Sequence, residues 1–309
     1  MRDIGPIRLI RPISLSIRRT HPLRMANPAQ FTQPLSIAEL FAGRDKSRAA
    51  RVASGANFLG CAAGPLIGGL LAQFAIAPLR LPYLAYLVLL CGAGGAILLP
   101  RETVTQRKPL GEIELRPRVG IPSTIRLQFI SPAVTGFATF SLIGFYSALI
   151  PSLLSETLHL SSPLIAGALV CELFLVAAVA ILTSGALASQ AATIAALLLL
   201  PPSVWILVGA ELSRSLALLF FAAAVGGVAG GLGYRGSLEV INRIAPADRR
   251  SEVVSSYMIA LFAGNSVPVI GIGFLAAATT ALTAHIVFAA VLTVLAGIAM
   301  LTGIKYAPT

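Results

Sequence analysis

The sequence predicts an all-α, polytopic membrane protein with about eight helices crossing the bilayer, and three observations carry that expectation. Hydrophobic residues make up 56% of the 309 residues and charged residues 11%, with a mean hydropathy of +0.86, so too little polar surface remains to coat a water-soluble domain. Apolar runs of about twenty residues recur along the chain, each long enough to cross roughly 30 Å of hydrocarbon as a helix. One pattern is also written twice. Asp45 stands twenty residues before Pro65, and Asp248 stands twenty before Pro268. Each Asp sits among arginines, and each Pro is followed three residues later by a glycine, Gly68 or Gly271. Repetition on this scale, between basic loops and apolar helices, suggests a membrane protein of two similar halves.

The net charge of +11 would point to nucleic acid in a soluble domain, but its distribution explains it better here. Of the 23 lysines and arginines, all but Arg80 and Arg214 fall in the two termini and in the loops on one side of the predicted spans. That bias predicts a multi-pass protein of the inner (plasma) membrane with both termini cytoplasmic. The expected partner on this evidence is the lipid bilayer, with no nucleic acid.

Residues 1–35 are rich in arginine and serine. Pro6, Pro12, Pro22 and Pro28 interrupt any long amphipathic helix there, and no secretory apolar core is present, so a disordered basic segment is expected. The predicted spans are α1 over 52–77, α2 over 81–99, α3 over 129–154, α4 over 163–187, α5 over 191–210, α6 over 215–240, α7 over 253–278 and α8 over 282–304. Residues 101–127, with prolines and mixed charge, form a cytoplasmic linker between a region over 36–100 and a six-helix region over 128–309. Glycine or proline inside α1, α3, α6 and α7 is tolerated in a membrane, where neighbouring helices satisfy the freed backbone groups. Cys61, Cys91 and Cys171 lie in separate apolar runs and are expected as small buried hydrophobes, without a disulfide or a metal.

Superposing the two copies of the repeat pairs α1 with α7 and α2 with α8. Four spans, α3 to α6, precede the second copy, and none precedes the first. A complete pair of such halves would hold about twelve spans, so the expectation is a whole second half and only the last two helices of the first.

Helix α1 contains Gly60, Gly64, Pro65, Gly68 and Gly69. This spacing resembles the antiporter motif in the fifth helix of drug:proton antiporters of the major facilitator superfamily. The stretch over 231–273, with Tyr234, Arg235, Gly236, Glu239, Asn242, Pro246, Asp248, Arg249, Arg250, Ser255, Pro268 and Gly271, resembles helices ten and eleven of bacterial transporters in that superfamily. The resemblance covers roughly residues 36–303 by topology. Arg51 stands where the family motif has a further glycine. The resemblance implies a partial major facilitator fold, truncated at the N-terminus, and proton-coupled efflux of a small apolar or cationic compound. It also implies that α1 packs against the opposite half. The physical basis is that glycines let helix backbones approach closely, while Pro65 removes a hydrogen bond and permits a bend.

Polar groups at bilayer depth are costly and mark pathways or partners. Glu172, nine residues into α4, lies close to mid-membrane at about 1.5 Å of rise per residue. It is expected either as a proton-coupling or cation-recognising group or as a protonated carboxyl bonded to a neighbouring helix. Asn57 and Asn265 either line a cavity or bridge helices, with the bridge favoured. Tyr146 and Trp205 could stack on a flat cation, although interfacial anchoring is the commoner role for a tryptophan. Arg235 and Glu239, spaced i, i+4, are expected to pair, with Asp248 or a loop arginine completing a gate. His21, His159 and His285 share no metal-ligand spacing, and the spans contain neither HExxH nor GxSxG, so neither an enzyme nor a cofactor is expected. The alternative to a transporter is a transport-inactive membrane protein or a membrane partner of another protein.

Overall fold

The structure, a computed structural model, describes residues 46–78, 80–98 and 119–306. All regular structure in these residues is helical: α1 (Lys46–Phe74), α2 (Leu81–Leu98), α3 (Arg126–Glu156), α4 (Pro163–Thr183), α5 (Ser189–Leu212), α6 (Leu216–Ile244), α7 (Arg250–Ala278) and α8 (Ala281–Lys305). Seven of these helices are long and apolar enough to cross a membrane, and the eighth, α2, is a shorter apolar helix over Leu81–Ala96. The chain is therefore an all-α, polytopic membrane protein. The basic segment over 1–35, Asp45 and most of the 101–127 linker lie outside the described residues.

Helix starts follow local chemistry. Pro163 opens α4, where a missing N–H costs nothing, and Ser162 caps it by accepting from the N–H of Ile165 at 3.4 Å. Ser215 caps α6 through Leu218 N–H at 3.3 Å, and Thr280 caps α8 through Thr283 N–H at 3.1 Å. These three helices start at the same end of the molecule, because consecutive spans run antiparallel. The opposite end carries the arginines of α6 and of the turn before α7. Pro132 and Pro151 in α3, and Pro201 and Pro202 in α5, sit inside continuous helices, as bilayer burial among neighbouring helices allows.

Helices α3 to α8 form one bundle around Leu142, Phe145, Tyr146, Ile150, Leu173, Leu200, Leu207, Phe288 and Leu292. Helix α1 lies along α4, and α2 is attached mainly to α1. Side chains from Tyr83 to Leu90 on α2 face outward, with Tyr83 76% and Val88 71% exposed. The cysteines depart from expectation: Cys61 and Cys91 are exposed, Cys171 is half-buried, and all three are free. An apolar run in a membrane helix faces lipid as readily as protein, so its hydrophobicity does not place it in the core.

Candidate functional site

Two polar atoms define the candidate site. Tyr146 on α3 is fully buried and its hydroxyl has no hydrogen-bond partner; Glu172 on α4 is half-buried and its buried Oε2 has none either. Among the described residues these are the two buried side-chain polar atoms left unpaired. The two groups stand on neighbouring helices, α3 and α4. Glu172 sits about 14 Å along α4 from its start, so both groups lie deep in the span. A buried polar group without a partner costs free energy, which marks these two atoms as the candidate positions for a proton, a water molecule or a ligand.

Helix α1 closes one side of this region through its glycine motif. A Cβ on Gly69 would meet the carbonyl oxygen of Pro163 at 2.6 Å, and one on Gly167 of α4 would strike the carbonyl oxygen of Pro65. The contact is thus reciprocal and runs backbone to backbone. Gln73 Oε1 secures the far end by accepting from Ser162 Oγ at 2.7 Å and from Leu164 N–H at 3.2 Å. Phe58 packs against Phe174 at 5.8 Å and Tyr234 at 5.3 Å, linking α1 to α4 and α6. The other motif glycines do something different: Gly60, Gly64 and Gly68 have nothing within 4 Å where a Cβ would stand. Asn57 is exposed on the same side as Gly60 and Gly64 and makes no hydrogen bond to another helix among the described residues. A cavity of about 460 Å³ between α1, α3 and α4 is lined by Gly68, Gly69, Ser147, Ser162, Gly167 and Val170.

At the arginine-rich end Arg235 is 5% exposed and pairs with Glu239, Nε to Oε1 at 3.1 Å. Its guanidinium also donates to the carbonyls of Ser184 and Leu187, the latter at 2.9 Å, and so grips the turn between α4 and α5. Arg243 adds a bond to Ser189 Oγ at 2.6 Å, at the start of α5. Asp248 stands apart from this cluster. Its carboxylate is 74% exposed and, among the described residues, approaches the neighbouring Arg249 at 3.8 Å, because it lies in the turn leading into α7. Asn265 is half-buried against α3, its Oδ1 3.1 Å from where a Cβ on Gly144 would stand. Trp205 donates from Nε1 to Thr293 Oγ1 at 3.1 Å and joins α5 to α8.

Sequence reasoning missed one pair. His285 Nδ1 on α8 lies 2.7 Å from Glu211 Oε2 at the end of α5, and the two side chains are 6% and 3% exposed. Phe145 meets the imidazole edge-on at 5.0 Å and stacks on Phe288, also at 5.0 Å. The available signal was an acid at the last turn of one span and a histidine in the first turn of another, both at the same end of the bundle. Among the described residues no group of three or more His, Cys, Asp or Glu is placed to hold a metal. Comparison of the chain with protein-family profiles, with characterised proteins and with solved structures gives no match.

Proposed function

We propose that this chain is a membrane transporter of the major facilitator type, exporting a small apolar or cationic compound in exchange for protons across the inner membrane. The observation that carries this reading is that the Tyr146 hydroxyl on α3 and Glu172 Oε2 on α4 are both buried and unpaired among the described residues, deep in neighbouring spans. The carboxyl binds either a proton or the cationic part of a ligand, and each occupant displaces the other because the site accommodates one positive charge. Tyr146 offers a hydroxyl that can donate to the carboxylate or accept from a ligand ammonium. The smooth backbone contact of Gly69 and Gly167 lets α1 shift along α4 without prising side chains apart, as alternating access requires.

The test uses the purified chain in lipid vesicles with an imposed pH gradient, ethidium as the probe and a trapped dye reporting protons. Gradient-driven ethidium movement coupled to proton movement is expected in the wild type and lost in Glu172→Gln. Equal coupled flux in the variant would remove Glu172 from the mechanism. A second reading, a transport-inactive partner of another membrane protein, is favoured by two open faces. One is the Gly60 and Gly64 face of α1; the other is on α7, where Ile259, Phe262, Val267, Ile270 and Phe274 are each more than half exposed. Absence of flux together with a second protein purifying in fixed ratio would support it.

A further inference from the structure

We propose that His285 is a second proton-binding position, at the end of the bundle opposite the arginines, with Glu211 orienting its ring so that Nε2 is the atom that takes the proton. With Glu211 as the carboxylate, which can only accept a hydrogen bond, the 2.7 Å contact puts the proton on Nδ1, donating to Glu211 Oε2. Fixing Nδ1–H leaves the Nε2 lone pair bare, and no hydrogen bond within the described residues occupies it. A hydronium ion at that face gives its proton to this lone pair and leaves as water, with no electron transferred. The pair then changes from a net charge of −1 to a neutral imidazolium–carboxylate pair, the less costly total where the side chains are only 6% and 3% exposed.

At this end α3 finishes on Glu156 and the turn into α4 carries His159, and both side chains are exposed. The turn after α5 carries Arg214, which is exposed and reaches Glu211 through its backbone N–H on the Glu211 carbonyl at 3.2 Å. Helix α3 presents Phe145 and, beyond it, the phenol of Tyr146, 6.1 Å from Phe145 between ring centroids. The halves of α6, α7 and α8 near this end contain no other titratable side chain. His285 therefore stands one aromatic ring from Tyr146, and so from the Glu172 site. The proposal deepens the proton-coupled reading, but its geometry does not depend on transport.

The test is nitrogen-15 NMR of histidine-labelled full-length chain in lipid nanodiscs, followed from about pH 8 down to about pH 5. His285→Gln identifies the signal by its loss. The expected result is a histidine protonated at Nδ1 throughout, whose Nε2 passes from bare to protonated as the pH falls. In Glu211→Gln the preference for the Nδ1–H tautomer should drop several-fold, and Glu211→Asp should restore it. An Nε2 that stays bare across the range, or a bare Nδ1 with the proton on Nε2, overturns the proposal. The wild-type spectrum alone decides this if a variant fails to fold. Loss of coupled flux in the vesicle assay with the expected spectrum intact would sink the transport reading and leave this one standing.

Discussion

Glu211 and His285 each depend on the other for their place inside the bundle. Replacing Glu211 with Leu alone strands a polar imidazole among Phe145 and Phe288, and we expect a loss of about 3 kcal/mol in unfolding free energy, read by SDS titration. The double variant Glu211→Leu/His285→Phe should recover most of that loss, because two apolar groups leave nothing unsatisfied. A different residue-scale cost sits at Arg214, whose φ of 49° is left-handed backbone that glycine adopts without strain. Arg214→Gly should raise stability by up to about 1 kcal/mol in the same measurement. At this scale Glu172 was legible in the sequence, since a lone acid inside an apolar run needs no partner to be noticed. The Glu211–His285 pair was not, because its meaning lies in a contact across 74 residues that only the packing of α5 on α8 creates. Asp248 misled for the converse reason: it is near Arg235 in sequence, yet the turn into α7 carries it out to solvent.

Among the helices, α1 shows why a motif can be recognised before its geometry. The spacing of Gly60, Gly64 and Gly68 reads as a seam for close helix contact, yet the seam on α4 is built from Gly69, Pro65 and Phe58, on another side of the helix. The sequence located the helix that packs by its backbone and left open which face does so, because small residues occur on both. The difference is measurable. Gly69→Leu should force α1 off α4 and lower the melting temperature by several degrees, consistent with a cost of about 2 kcal/mol or more. Gly64→Leu, facing open space, should change stability by less than about 0.5 kcal/mol. Equal effects at the two positions would contradict the docking of α1 described above.

For the molecule as a whole, composition sufficed to establish the class, and the run lengths located each of the eight α-helices among the described residues. The inside of the bundle was hidden for a physical reason: lipid is as apolar as protein, so the usual alternation of polar and apolar faces disappears. Leu173 is buried and Leu175, two residues on, is 45% exposed, with nothing in their chemistry to distinguish them. Orientation rests on the arginine bias and can be tested on a cysteine-free background. Arg214→Cys should react with a membrane-impermeant maleimide on intact cells, and Arg250→Cys only after permeabilisation. The opposite pattern would invert the topology. Finally, α2 spans 18 residues, about 27 Å, whereas α7, with Phe262, Val267, Ile270 and Phe274 on its open face, runs 29 residues, about 44 Å. Lipid touching these two helices meets apolar walls of unequal height, so the acyl chains must shorten beside α2 and stretch beside α7. The surrounding membrane is thereby given a slope, and the protein should settle preferentially where lipids of mixed chain length can fill it.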